Sequence, residues 1–145
     1  MSNVLGIIAE YNPFHNGHLH HLIESKRITK SDYCIAIISG NFTQRGDIAI
    51  IDKWSRTQMA IENGIDLVLE LPTIYAISSA ENFASGAIKI LDSLGIVDFL
   101  SFGSECNDIS ILSEVTNVLT NEPSEYKSLL SHELSRGISF PKARE

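Results

Sequence analysis

Cysteine is scarce in this chain: there are two, Cys34 and Cys106, in 145 residues. They lie far apart and in different contexts, so a structural disulfide is not expected, and a reducing, cytoplasmic setting fits. Cys34 sits in an apolar run and reads as a buried, inert thiol. Long apolar stretches are missing too. None approaches the ~18 residues that a membrane-spanning helix needs, so no membrane partner is expected. Met1-Ser2-Asn3 carries no basic segment of the kind that opens a secretory signal. Positive charge is also short. Eleven Lys and Arg stand against eighteen Asp and Glu, a formal charge of −7. Taken whole, that balance argues against a nucleic-acid-binding module, which is usually basic.

What is present is enough for a core. The chain is 43% hydrophobic and 20% charged, the balance of a folded domain and not of a disordered segment. Size scaling gives a folded surface of ~7,400 Å² against ~23,000 Å² unfolded, so roughly 70% can be buried without metal or disulfide staples. The length is that of one domain, residues 1–145. The charge is unevenly placed. Residues 1–60 hold six bases (Lys26, Arg27, Lys30, Arg45, Lys53, Arg56) and five acids (Glu10, Glu24, Asp32, Asp47, Asp52), which leaves −8 on the rest. Four of the five histidines fall in the first 21 residues. The amino-terminal part can accept an anion; the remainder reads as an acidic scaffold.

Val4-Leu5-Gly6-Ile7-Ile8-Ala9 is a short, continuous apolar run, the pattern of a strand buried on both faces of a parallel sheet. A helix is expected from about Gly17 to Thr29, with Leu19, Leu22 and Ile23 on one face. Cys34 to Ile38 reads as a second buried strand. Asp52 is placed to cap a helix ending at Gly64. Asp66 to Leu71 reads as a third strand, stopped by Pro72. Ser78-x-x-Glu81 predicts a capping box, followed by a stripe of Phe83, Ala84, Ala87, Ile88, Leu91 and Leu94 closed by Gly95. A fourth strand is expected over Ile96 to Phe102. Two helices follow, one capped by Asn107 or Asp108 and one opened by Pro123 and ending at Gly137. The alternation predicts an α/β fold: an open parallel sheet with helices on both faces. Ligands then bind at the carboxyl ends of the strands, where residues 10–18, 39–47 and 103–105 fall.

His15-Asn16-Gly17-His18 stands between the first strand and the first helix. A helix N-terminus offers unpaired N–H groups and partial positive charge, a ready phosphate site. Gly17 would let backbone come close to a phosphate. Two imidazoles three residues apart can donate to oxygens that gain charge in a phosphoryl-type transition state. Nothing here supplies a nucleophile, so the chemistry would rest on positioning and charge stabilisation. A metal is the rival reading of His15, His18, His20 and His21, since His18 and His21 share a helical face. No Glu sits as in His-Glu-x-x-His and no cysteine is near, so no protein-ligated metal is expected. Read alone, His20 and His21 are helix-surface residues. Arg45 follows the second strand on the ligand side and could reach a phosphate or an RNA backbone. Lys53 and Arg56 are further candidates for such contacts, against the plainer reading of solvated or ion-paired residues. Glu10 ends the first strand and could orient a histidine, hold a metal-bound water or cap the turn.

The motif matches the HxGH signature of the nucleotidyltransferase superfamily. The wider text, Ala9-Glu10-Tyr11-Asn12-Pro13-Phe14-His15-Asn16-Gly17-His18-Leu19, then Ser39-Gly40-Asn41-Phe42-Thr43-Gln44-Arg45-Gly46, Asp52-Lys53-Trp54, Asp66 to Pro72 and Ser101-Phe102-Gly103-Ser104-Glu105, resembles the bacterial tRNA(Met) cytidine acetate ligases over essentially the whole chain. The resemblance implies a Rossmann-like fold. It implies activation of acetate by ATP, with Mg2+, to acetyl-adenylate, and acetylation of N4 of the wobble cytidine of elongator tRNA(Met). It also implies that His15 and His18 hold the ATP phosphates and stabilise the transferring phosphoryl. Residues Ile8, Ala9, Glu10, Tyr11, Asn12, Pro13, Phe14, Asn16, Gly17, Leu19, His20 and His21 would complete the stretch that wraps the nucleotide, and Gly103 would approach the adenosine. The family's members run longer, and the second phosphate motif of the superfamily is not matched. The chain therefore reads as the amino-terminal, nucleotide-binding portion of a longer enzyme. Two alternatives stay open: a small-molecule adenylyltransferase with the same signature, and a nucleotide-binding fragment without catalysis.

Overall fold

A computed structural model of the chain describes residues 2–106 and 108–144. The sequence reads as one domain; the described chain divides into two compact units, one up to Gly103 and one from Ser104. In the first unit strands and helices alternate: β1 (Val4–Ala9), α1 (Asn16–Thr29), β2 (Tyr33–Ser39), α2 (Lys53–Glu62), β3 (Leu67–Leu71), α3 (Thr73–Ala76), α4 (Ala80–Ser93) and β4 (Phe99–Ser101). The second unit holds α5 (Ile109–Asn121), α6 (Ser124–Ser135) and α7 (Phe140–Ala143). Neither α5 nor α6 has a buried residue.

All strand pairs are parallel, in the order β3-β2-β1-β4. The chain steps from β1 outward to β2 and β3, then crosses back to lay β4 on the other side of β1. The order reverses between β1 and β4, which sets the ligand crevice at their carboxyl ends. Alternation of side chains along the strands gives the sheet two buried faces. Leu5, Ile7, Cys34, Ala36 and Ile38 meet Leu22 of α1 and Ala60 of α2 on one face. Val4, Ile35, Ile37 and Leu71 meet Ala76 of α3 and Ala87 and Leu91 of α4 on the other. Helices on both faces are thus observed as expected. Gly6 is glycine because Leu91 packs where its Cβ would stand, 2.8 Å away. Burial pushes the Cys34 thiol up to about 12, which makes it inert.

Three aspartates finish the amino-terminal edge of the sheet. Asp32 accepts from the Asn3 amide at 2.9 Å, Asp66 from the Cys34 amide at 2.7 Å and Asp98 from the Val4 amide at 2.8 Å. These carboxylates take the place of ladder bonds, and β3 and β4 accordingly start later than expected, at Leu67 and Phe99. Two further differences are local. The cap of α4 is Ser79, which accepts from Asn82 N at 3.3 Å, while Ser78 accepts from the Asn82 side-chain amide. Gly86 instead of Ile88 lies on the buried face of α4, because the Tyr75 ring of α3 fills the space above it. On α1 Ile23 is exposed and Ser25 buried. The caps Asp52 and Asp108 are observed; the alternative Asn107 lies outside the described residues. The short helices α3 and α7 were not anticipated.

Arg56 gathers the carboxyl edge. It lies on the inner face of α2, one turn before the buried Ala60, and is itself fully buried. Its Nε donates to Ile51 O at 3.0 Å, one terminal nitrogen to Glu10 O at 2.6 Å, and the other to Gly40 O. One guanidinium therefore ties the ends of β1 and β2 to the approach of α2. Losing it would strand three acceptors, at about 1–3 kcal/mol each where buried. Arg56→Met is expected to lower the unfolding free energy by about 3 kcal/mol or more, and Arg56→Lys to restore only part of it. Urea denaturation checks this; a Met variant within 0.5 kcal/mol of wild type, roughly the scatter of surface substitutions, would remove Arg56 from this role.

Candidate active site

The chain leaves β1 through Glu10 and a turn in which Tyr11 adopts φ +50° and the Asn12–Pro13 bond is cis. Tyr11 is buried, and its ring meets Phe14 edge-on at 4.8 Å and His18 at 4.9 Å. The two aromatic rings thus form the floor on which His18 rests. His15 caps α1. Its Nδ1 accepts from the Gly17 amide at 3.1 Å, and His18 Nδ1 accepts from the His15 amide at 3.2 Å. The rings stack at 3.7 Å, 24° from parallel. This is a capping box in which both side chains are imidazoles.

The reciprocal bonds fix the tautomers. A ring whose Nδ1 accepts carries its proton on Nε2. Both imidazoles therefore carry an Nε2–H donor, on rings at the start of α1, just past the carboxyl end of β1. Here the structure corrects an expectation. Bare amides at the start of α1 were to receive the anion, yet those of His15 and Gly17 are already spent on the rings. Gly17 instead admits the His15 ring, which lies 3.0 Å from where a Cβ would stand. Burial first, then the charges of His15 and His21, hold the His18 ring below the usual histidine range.

The remaining candidates separate. His21 is half-buried, donates to or accepts from Ser101 Oγ at 3.0 Å, and Ser101 in turn meets Ser25 Oγ at 2.7 Å. This polar chain fastens α1 to the end of β4; the spacing of His21 and Ser25, one helical turn, was its legible signal. His20, Asn16 and Gly17 are exposed, Leu19 and Pro13 half-buried. Ile8 and Ala9 pack against opposite core clusters. Gly103 follows β4 with open space above it. Glu10 accepts from the Gln44 amide, and Asn12 accepts from the Ile50 amide at 2.8 Å. The 41–51 loop, closed by a Phe42–Ile48 bridge, is thereby pinned to the turn that carries the histidines. Arg45 is exposed on that loop, and among the described residues it makes no ion pair. Lys53 pairs with Glu70 at 2.6 Å. Arg56 cannot make the phosphate or RNA contact considered for it, because it is buried and bound to three carbonyls. Among the described residues no group of three His, Cys, Asp or Glu side chains converges as metal ligands.

A family model described as HIGH Nucleotidyl Transferase matches residues 2–145. The chain belongs to this family. The two stacked histidines lie within the matched residues. The chain is 61% identical over 142 residues to a tRNA(Met) cytidine acetate ligase of Thermoanaerobacter sp., covering 98% of this chain and 35% of that one. A ligase of the same name from Caldanaerobacter subterraneus is 56% identical over 141 residues, covering 97% and 35%. Among solved structures, Thermotoga maritima TmcAL bound with alpha-thio ATP matches with a TM-score of 0.90 and 51% identity, over 98% of this chain and 34% of that one. The chain thus spans about a third of the length of the curated relatives it matches.

The His18 cap makes stability depend on pH. Protonation turns Nδ1 into a donor and breaks the cap. The unfolded chain takes up that proton near pH ~6.5, whereas folded His18 resists it. Its contribution is therefore complete above pH ~6.5 and lost as pH falls below it towards the lowered folded value. His21, lowered chiefly by burial, acts in the same direction. The urea midpoint is expected to fall between about pH 7.5 and about pH 5.5, and to fall less in His18→Gln. Equal slopes in the two proteins would show that His18 is not the titrating cap.

Proposed function

We propose that this HIGH nucleotidyl transferase chain is the nucleotide-binding part of an ATP-dependent ligase that acetylates N4 of the wobble cytidine of elongator tRNA(Met), in the cytoplasm. The observation that carries the reading is the stacked, reciprocally capping pair His15 and His18, whose Nδ1 atoms both accept amides and leave Nε2–H as the donor, at the carboxyl end of β1. The names of the relatives and the ATP analogue in the Thermotoga protein support it. An acetate oxygen attacks the α-phosphorus of ATP; the bond to the β-phosphoryl oxygen breaks, and pyrophosphate leaves. The cytidine N4 then attacks the acetyl carbonyl, AMP leaves, and N4 gives up a proton. His15 and His18 hold the phosphates and donate to the oxygens that gain charge in the first step. The stretch from Ile8 to His21 wraps the nucleotide, Gly103 faces the adenosine, and Arg45 reaches towards a phosphate. Mg2+, if bound with ATP, would supply charge neutralisation at the phosphates and would ask few protein ligands of this chain.

Removing one such donor costs about 100- to 1,000-fold in rate. His18→Ala in the full-length protein is expected to reduce acetate-dependent pyrophosphate release by that factor while keeping the far-ultraviolet spectrum of the fold. Mass spectrometry of nucleosides from tRNA incubated with the full-length protein, ATP and labelled acetate tests the whole reading. Labelled N4-acetylcytidine is expected. Its absence, with AMP transferred instead to a phosphorylated cofactor precursor, would assign the small-molecule adenylyltransferase reaction.

A further inference from the structure

The chain's only tryptophan is not in the core. Trp54, in the first turn of α2, is 74% exposed. It borders a cavity of about 230 Å³ between α2 and the edge strand β3. Ile38, Val68 and Leu69 form its apolar part, and Lys53 and Glu70 complete the lining. The Lys53 ammonium lies 2.6 Å from the Glu70 carboxylate and 5.4 Å from the indole centroid. Gly40, at the end of β2, leaves room for that carboxylate, which would collide with any Cβ there. The cavity lies at the β2–β3 side of the carboxyl edge, away from the β1–β4 crevice and its histidines.

We infer that this cavity is an accessory subsite for one unstacked base of a single-stranded RNA segment. Drug-sized ligands occupy ~300–1,000 Å³, so the space admits a single heterocycle and not a whole nucleotide. The indole supplies a stacking face of the kind that single-stranded nucleic-acid sites use. The ion pair supplies one donor and one acceptor side by side, the complement of the polar edge of a base. An apolar protein partner would have to bury that pair without repayment; a base edge hydrogen-bonds to both halves. Lys53 and Glu70 cancel in charge, so the subsite itself does not repel a phosphate backbone. Arg45, exposed and without an ion pair among the described residues, lies on the loop that joins β2 to α2 and offers a donor to an RNA phosphate. The inference rests on the proposed RNA acceptor. It adds that another base of the same single-stranded segment is held on Trp54.

Emission of Trp54 reports occupancy directly. Titrating the chain with a hairpin RNA bearing the anticodon loop of elongator tRNA(Met) is expected to quench it saturably. The same hairpin with abasic loop positions is expected not to. By anisotropy of the labelled hairpin, Trp54→Leu should weaken binding roughly 5- to 150-fold, the range for losing one stacked base, and Trp54→Phe should recover much of it. An ATP-induced thermal shift in each variant verifies the fold. Hairpin binding that is unchanged in Trp54→Leu overturns the subsite and leaves the ligase reading standing. Emission that responds to an apolar dye but not to RNA overturns it in favour of a protein-docking surface. Absence of both hairpin binding and tRNA acetylation by the full-length protein overturns the two together.

Discussion

A single buried guanidinium holds the functional edge of this fold together. Parallel strands end in carbonyls that point away from the sheet, and at β1 and β2 there is no further strand residue to satisfy them. Arg56 reaches both, through Glu10 and Gly40, and a third at Ile51. Burying a cation is costly, and carbonyl dipoles compensate it only when several converge. The convergence therefore constrains three chain segments at once. The turn with the histidines leaves directly from Glu10, the 41–51 loop from Gly40, and α2 begins just after Ile51. The positions of the histidine turn, the 41–51 loop and the start of α2 are inherited from that knot.

The histidine pair follows a related logic. A helix start exposes amides that need acceptors, and here the acceptors are the Nδ1 atoms of the two rings. One set of bonds both caps α1 and selects the Nε2–H tautomer. Tyr11 and Phe14 beneath His18 remove water from one side of the ring, which disfavours its charged form. The His18 ring is thus biased towards its neutral form while its cap orients it. An imidazolium would have lost the caps that orient it.

How much of this the sequence carries depends on which physical signal each part leaves. The strands were legible because fully buried parallel strands are continuous apolar runs, and the position of His15, Gly17 and His18 at a strand–turn–helix junction was legible from the same pattern. The two serines at 78 and 79 offer equal caps, and only the course of α3 decides between them. Arg56 misled because arginine is so rarely buried completely; its spacing of four from Ala60 on α2 was the hint. The reciprocal caps were not legible, since nothing in a His-x-Gly-His string says whether the rings or an anion take the amides.

Net charge illustrates why placement outweighs totals. Asp32, Asp66 and Asp98 accept amides at the amino-terminal edge of the sheet, and Asp52 and Asp108 cap helices. At the carboxyl edge Glu10 is bonded to a loop amide and Glu70 to Lys53. Arg56 adds a buried positive charge at that edge, and Arg45 an exposed one. Coulomb interactions fall with distance and are screened within ~8 Å at physiological salt. An anion approaching the β1–β4 crevice therefore responds to the local donors far more than to the acids on the opposite edge. The formal charge of −7 therefore does not by itself describe the field at the carboxyl edge of the sheet.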